Sequence, residues 1–372
     1  MIKKVSAGAR DGDEVLIRAH GGEPLGRGFY HGGSTVALRI LSKDPHCALD
    51  RDFFRERLRA AVALRRETLG LEKRTNAYRV VHAEGDGLSG LVVDRYGELL
   101  VAGFYSRGFF DRRELLQELL LEIFPDSRVV FKVDNLAAER EGMVLPAGEE
   151  NHPENPEVPE ETEIHEGKVR FLIRPTGHKT GFFLDQRENR ERLAGLVRGR
   201  KFLDAFSYTG AFALVARTRG KARRVVALDL DEKAIEQGKR NARLNRAEIE
   251  WVHSDAFPYL RNHRHAAERY DAICLDPPKW ATDRARLEEA ENKYLDVNTY
   301  ALRALDPGGI LVTCCCSGLV SEPRFLAILN RAAAVAGRTF QVFHVGGAGA
   351  DHPVDIHCPE SRYLKAVFGR VT

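Results

Sequence analysis

The sequence has no C-x-x-C pair, no apolar run long enough to cross a bilayer, no G-x-G-x-x-G turn and no internal repeat of solenoid period. Each gap removes a class of protein. The 6 cysteines are Cys47, Cys274, Cys314, Cys315, Cys316 and Cys358. That spacing is neither a disulfide framework nor a zinc set, so a reduced compartment and no metal are expected. The start, Met1-Ile2-Lys3-Lys4, lacks the apolar stretch of a signal peptide. A soluble, cytoplasmic protein with no membrane partner is expected. Charge of neither sign dominates: the formal net charge is +3, which permits a nucleic-acid partner without requiring one. Most of the positive charge is arginine, which suits phosphate contacts and base stacking.

What is present points to a folded chain of several parts. With 372 residues, 43% hydrophobic and 30% charged, two or three domains are expected. Short strands read over Glu14–Arg18, Gly26–Tyr30 and Thr35–Leu41, punctuated by Gly21-Gly22 and Gly32-Gly33. A helix from Arg51 to Glu67 carries Phe54, Leu58, Ala61, Val62 and Leu64 on one side. Its other side holds Arg55, Arg57, Arg59, Arg65 and Arg66, either a solvated face or a surface for RNA phosphates. Strands over Tyr78–His82, Leu91–Asp94, Leu99–Gly103 and Arg128–Lys132, with a helix over Arg112–Ile123, make a second α+β module. Residues 147–166 are acidic and proline-bearing and read as a linker or surface loop.

After Gly167 strands and helices alternate, which predicts a parallel sheet covered by helices on both faces. Strands read over Lys201–Asp204, Arg224–Asp229, Ile249–Val252, Asp271–Leu275 and Gly309–Thr313, with helices such as Asp231–Leu244 and Arg284–Ala304. Ligands in such sheets bind beyond the carboxyl ends of the strands. Those ends carry Asp204, Asp229, Asp255, Asp276 and Cys316.

The first of these turns, Asp204-Ala205-Phe206-Ser207-Tyr208-Thr209-Gly210, has a single glycine. A dinucleotide pyrophosphate needs closer backbone approach than this turn permits. S-adenosylmethionine has no phosphate and fits better, with Asp204 placed to hold the ammonium of its methionine part. Asp229 is placed for ribose hydroxyls, a feature that nicotinamide cofactors share. Asp255, in His253-Ser254-Asp255-Ala256-Phe257, is placed to meet the adenine amino group. Asp276-Pro277-Pro278-Lys279-Trp280 follows the fourth strand, its prolines stiffening the backbone where a flipped base would lie. Lys279 stands where enzymes that methylate exocyclic amines carry an aromatic, which argues against amine chemistry. In Cys314-Cys315-Cys316-Ser317-Gly318, Cys314 and Cys316 share one face of the strand and Cys315 the other. A thiolate adding to C6 of cytosine makes C5 nucleophilic, and a carboxylic acid near N3 assists. Asp276 and a cysteine at adjacent strand ends suit that reaction.

These motifs, with Gly177-His178-Lys179-Thr180-Gly181-Phe182-Phe183-Leu184-Asp185-Gln186-Arg187, Ala350-Asp351-His352-Pro353 and Tyr363-Leu364-Lys365, resemble the bacterial 23S rRNA 5-methylcytosine methyltransferases over nearly the whole chain. The resemblance implies an α/β fold: a class I, Rossmann-like methyltransferase domain with a mostly parallel seven-stranded sheet over residues 166–372. It implies a PUA-like RNA-binding domain over 1–72, which lacks the basic segment and Pro-Trp strand usual at its start, and a central α+β domain over 73–165. It selects Cys316 over Cys314 as nucleophile, Asp276 as its acid partner, and leaves Cys314 and Cys315 as packing. It also implies that Lys179, Phe183, Gln186, Asp204, Phe206, Tyr208, Asp229, Leu230, Asp255, Ala256 and Asp276 contact S-adenosylmethionine. The expected partner is RNA, namely 23S rRNA before full ribosome assembly, for a monomer or homodimer. Other readings are a methyltransferase acting on tRNA cytosine or guanine N7, a non-catalytic RNA-binding assembly factor and, more distantly, a nicotinamide-dependent oxidoreductase.

Overall fold

Apolar side chains at every second position make strands, and the first eight of these build one unit in which a single core runs from Phe29 to Met143. The structure, a computed structural model, describes all residues except 1, 3, 148–151, 153, 154, 156, 157, 176–180 and 264–268. The chain divides into two compact units: residues 1–166, 173–184 and 350–361, and residues 167–172, 185–349 and 362–372.

In the first unit β1 (Glu14–Arg18), β2 (Pro24–Tyr30) and β3 (Leu38–Ser42) form an antiparallel sheet. Helix α1 (Arg51–Ala63) starts at Asp50, whose carboxylate accepts from the amides of Asp52 and Phe53. Its apolar stripe, Phe53, Phe54, Leu58, Ala61 and Val62, is buried. The helix is shorter than the periodicity suggests, because the backbone loosens into a π turn over Leu64–Thr68. Then come β4 (Ala77–His82), β5 (Leu91–Tyr96), β6 (Leu99–Phe104), α2 (Arg107–Phe110), α3 (Arg113–Ile123), β7 (Arg128–Val133) and α4 (Asn135–Glu141). The four strands pair in order β4-β5-β6-β7, the last pair parallel.

Two sequence expectations are corrected here. Arg65 does not share the polar side of α1. It is 0% exposed, with a two-armed ion pair to Asp86 at 2.5 and 2.9 Å and donations to the carbonyls of Ala61, Arg79 and Asp351. A guanidinium with five donors can enter a core when every arm finds an acceptor, and no sequence period announces that. Arg55 and Arg66 are paired with acids, Arg55 with Glu122 and Asp52, Arg66 with Glu72. The segment 147–166 is also not loop throughout: Thr162–Glu166 is strand β8, docked by the Thr75 hydroxyl donating to the His165 carbonyl at 2.6 Å.

The second unit is built on one seven-stranded sheet. Beyond β9 (Val169–Ile173) and α5 (Arg187–Ala194), its elements are β10 (Lys201–Ala205), α6 (Ala211–Thr218), β11 (Arg224–Asp229), α7 (Glu232–Leu244), β12 (Glu250–His253), α8 (Ala256–His263), β13 (Tyr270–Leu275), α9 (Leu287–Ala304), β14 (Leu305–Cys315), α10 (Glu322–Ala336), β15 (Phe340–Gly346) and β16 (Lys365–Val371). The strand order is β12-β11-β10-β13-β14-β16-β15, parallel except for β16. Strand β10 is buried at every residue, as expected of a strand covered on both faces. The chain runs from β10 outward to β12, then crosses back to β13. The reversal between β10 and β13 opens a crevice at their carboxyl ends, which is where the site lies.

Candidate active site

The loop after β10 takes a conformation that ordinary side chains avoid. Phe206 and Tyr208 have φ of 63° and 49°, in the left-handed region. Each costs on the order of 1–3 kcal/mol, so the surroundings must hold it. They do so through Asp229, at the end of β11. One carboxylate oxygen of Asp229 accepts the Tyr208 amide at 2.7 Å and the other accepts the Asp231 amide at 2.9 Å. Asp229 keeps accepting capacity for further donors, because a carboxylate has about four lone-pair sites. Trp251 on β12 wedges beneath: a Cβ on Gly210 or Gly238 would lie 2.4 or 2.2 Å from its ring.

Asp204, the last polar residue of β10, is 1% exposed. Its Oδ2 accepts the Ala213 amide at 2.8 Å, while Oδ1 has no hydrogen-bond partner among the described residues. Burial, with the charges of Asp276 and Asp229 nearby, pushes its carboxyl well above the usual range. At the neighbouring strand ends Asp255 is exposed and accepts the Phe257 amide at 2.8 Å, so it caps α8. Leu230 is 67% exposed, an apolar side chain held in the open just past β11, and Ala256 is buried. Phe183, half-buried, is part of the first unit, and Lys179 lies outside the described residues.

Asp276 follows β13 and is oriented by a chain of amides. Asn189 on α5 donates to the Gly347 carbonyl at 3.0 Å and to Gln186 Oε1 at 2.7 Å. Gln186 therefore turns its NH2 outward and donates to Asp276 Oδ1 at 3.0 Å. Asn189 and Gln186 are 3% and 2% exposed, so this chain is shielded from water. Asn189 escaped sequence reasoning, although an amide three residues after Gln186 at a helix start is the signal that marks it.

The three cysteines divide as strand alternation requires. Cys314 and Cys315 are both fully buried, in different core clusters, and burial beside Asp276 raises the Cys314 thiol well above its ordinary value. Cys316 lies just past β14, is half-buried, and donates from Sγ to the Pro277 carbonyl at 3.8 Å. Since β13 and β14 are paired neighbours, Asp276 and Cys316 come to one mouth of the crevice. Ser317 ties their loops together: its hydroxyl lies 3.3 Å from the Ala281 amide and 3.3 Å from the Tyr294 hydroxyl. Lys279 is exposed, and Trp280 turns into an aromatic group with Phe206, Phe257 and Tyr294, at ring separations of 5.9, 5.7 and 4.7 Å.

The chain is similar to known proteins. The family model described as S-adenosylmethionine-dependent methyltransferase matches residues 154–343, and that of the PUA-like domain matches residues 1–43. Ribosomal RNA large subunit methyltransferase I of Aeromonas salmonicida (strain A449) is 37% identical, covering 99% of this chain and 93% of its own. That of Aliivibrio fischeri (strain ATCC 700601 / ES114) is also 37% identical, covering 100% and 93%. The chain belongs to the S-adenosylmethionine-dependent methyltransferases, in the family of ribosomal RNA large subunit methyltransferase I. SMU.776, a methyltransferase solved in complex with SAH, has the same fold, with a TM-score of 0.83 at 21% identity over 97% of this chain and 92% of that one.

The residues of this methyltransferase fit its cofactor. A buried carboxylate with an unpartnered oxygen is a socket for a cation, and the methionine part of S-adenosylmethionine ends in an ammonium. The loop strained at Phe206 and Tyr208 is held by Asp229, and the glycine-poor turn leaves no cradle for a pyrophosphate. Among the described residues no group of His, Cys, Asp and Glu is arranged to hold a metal. No helix among them is long and apolar enough to cross a membrane.

Proposed function

We propose that this methyltransferase acts on C5 of cytosine in ribosomal RNA of the large subunit, 23S rRNA met before assembly is complete, with Cys316 as nucleophile and Asp276 as its acid. The observation that carries this reading is the meeting of the two groups: the Cys316 thiol reaches the carbonyl of Pro277, next to an Asp276 held by Gln186. A methyltransferase attacking a nitrogen needs no thiol at this place. Three modules, residues 1–72, 73–165 and 166–372, would divide the labour: the PUA-like and central parts deliver RNA and the last performs the chemistry.

S-adenosylmethionine, when bound, supplies a methyl group on a sulfonium. Asp204 holds its ammonium and Asp229 its ribose hydroxyls. Asp255 faces the adenine amino group, and Gln186, Phe206, Tyr208, Leu230, Ala256 and Asp276 complete the surround. Against the RNA, the Cys316 thiolate forms a bond to C6 of the base while the Asp276 carboxylic acid gives a proton to N3. The ring then carries an enamine whose C5 is nucleophilic. Once C5 bears its methyl group, water takes the C5 proton, the C5–C6 double bond re-forms as the bond from C6 to the Cys316 sulfur breaks, and N3 returns its proton to Asp276. Pro277 and Pro278 keep the base from sliding during these steps. The family relatives are bacterial and are named for ribosomal RNA, which supports a cytoplasmic enzyme working on the same class of substrate.

Mass-spectrometric mapping of 5-methylcytosine in ribosomal RNA from a deletion strain tests the proposal. One cytosine should lose its methyl group and regain it when the purified chain and S-adenosylmethionine are supplied. An unchanged 5-methylcytosine map would overturn the reading.

A further inference from the structure

The carboxyl ends of the sheet are acidic, with Asp204, Asp229, Asp255 and Asp276 around the crevice. That field suits a cofactor with an ammonium and repels the phosphates of an RNA whose base must enter. The RNA backbone has to be held elsewhere, and the amino ends of the same strands are basic. Strands β10 and β11 open on Lys201 and Arg224. Residues 217–224 hold five cations and no acid, and residues 239–246 hold four and no acid. Runs of this kind are candidates for nucleic-acid surfaces. The fold brings the two together on a groove of about 560 Å3, lined by Arg217, Arg223, Arg224, Lys239 and Arg243. Five cations against the groove's two carboxylates, Glu248 and Glu250, leave its lining at +3, equal to the formal net charge of the whole chain. A further basic turn, Arg198 to Lys201, is stitched alongside: the Gly199 amide donates to the Lys221 carbonyl at 3.0 Å and the Arg223 amide to the Arg200 carbonyl at 2.9 Å.

The groove's own ion pairs are exposed. Arg217 reaches Glu248 at 3.3 Å, with the glutamate side chain 92% exposed, and Arg223 reaches Asp271 at 3.5 Å. Arg224 pairs with Glu250 at 2.7 Å, both side chains about half exposed. Such pairs hold weakly, and a guanidinium exchanges a carboxylate for a phosphate with the same two-armed geometry. Arg217 and Arg243 lie in the last turns of α6 and α7, where a cation offsets the helix dipole. Arg223, Arg224 and Lys239 lie outside those turns, so the dipole does not account for them.

We infer that this groove is a second RNA site, holding the sugar-phosphate backbone of the substrate while its base is in the crevice. The inference rests on the reading of RNA as the substrate. Strand β11 has six residues, with Arg224 at the groove and Asp229 at the crevice. The two sites therefore stand about 17 Å apart along the sheet. Strand β12 is the edge of that sheet, so an RNA strand passing along this edge reaches both. Phosphates held here carry no sequence information; they set the register of the RNA over the crevice.

The test measures binding of a single-stranded RNA of mixed sequence to the full chain over a series of KCl concentrations. Each phosphate contact to a single strand contributes about 0.7 to the slope of log affinity against log salt. Arg223→Gln combined with Arg243→Gln should lower that slope by about 1.4 and raise Kd about 25-fold at about 0.1 M salt. Arg223→Lys with Arg243→Lys keeps both charges and should keep the slope. Calorimetric titration with S-adenosylmethionine reports whether each variant is folded; if the first pair is not, Lys239→Gln with Arg243→Gln makes the same test. A slope unchanged by the loss of two cations overturns the inference. So does unchanged RNA binding with lost binding to phosphatidylserine vesicles, which assigns the groove to a membrane surface. A wild-type protein with no salt-dependent affinity for RNA would instead defeat the RNA reading, and the groove's role with it.

Discussion

Replacing Asp204 with asparagine should weaken S-adenosylmethionine binding and strengthen the protein that binds it. Asp204 Oδ2 accepts the Ala213 amide, and Oδ1 has no partner among the described residues. An asparagine would keep its carbonyl oxygen on Ala213 and turn its NH2 toward the place of Oδ1, so a donor would face the ammonium. The loss is at least one charge-assisted hydrogen bond, about 1.5–3 kcal/mol, or roughly a 10- to 150-fold rise in Kd. The ligand-free protein should respond in the opposite sense. The folded carboxyl is raised above its unfolded value of about 3.9, so above that pH the folded state holds a proton the unfolded chain has lost. Stability therefore falls as pH rises through that window, and the asparagine variant escapes the fall. Calorimetric titration gives the affinity, and thermal melts at pH 4 and pH 7 give the second effect. Titration in buffers of different ionisation enthalpy should also show proton release on binding to the wild type, absent from the variant. An affinity within threefold of the wild type would refute the socket.

Three further outcomes follow from packing and charge. Gly238→Ala sets a methyl 2.2 Å from the Trp251 ring and should cost about 1–3 kcal/mol in denaturant unfolding, partly recovered by adding Trp251→Leu. Arg65→Met leaves the buried Asp86 carboxylate without its partner and should cost about 3–5 kcal/mol by the same measurement; a cost below 1 kcal/mol would contradict the ion pair. His82 is pushed down to about 2 by burial and by the charges of Arg79, His352 and Arg65. The unfolded chain gains this proton below about 6.5 and the folded chain does not, so stability drops as pH falls from 7 to 5. A His82→Phe variant should show a shallower fall in Tm over that range.

The site was legible where chemistry coincides with strand ends. Alternation and βαβ spacing located Asp204, Asp229, Asp255 and Asp276, because a parallel sheet brings its carboxyl ends to one crevice whatever the loops do. Periodicity separated Cys315 from Cys314 and Cys316 for the same reason. It did not mark β15 and β16, since an antiparallel pair closing a parallel sheet leaves no βαβ signature. Arg65 reads as a surface arginine until Asp86 and three carbonyls surround it, and those acceptors are scattered from Ala61 to Asp351. The Asn189–Gln186–Asp276 chain joins a helix start to a strand end 87 to 90 residues away, a separation no local pattern encodes. Lys365 stands in the tail motif that carried part of the resemblance, but the Ser317 and Tyr363 carbonyls that receive its ammonium, at 2.7 and 2.8 Å, appear only in the fold.

The central claim is a covalent bond between Cys316 and carbon-6 of a cytosine. An RNA substrate carrying 5-azacytosine has nitrogen at position 5, so no proton leaves after methylation and the thiolate cannot depart. Incubated with wild-type protein and S-adenosylmethionine, it should yield an adduct that survives denaturing electrophoresis, and peptide mass spectrometry should place the nucleotide on Cys316. The Cys316→Ala protein should form none while still binding S-adenosylmethionine. An adduct that persists in Cys316→Ala, or one mapped to Cys314 or Cys315, would contradict the account.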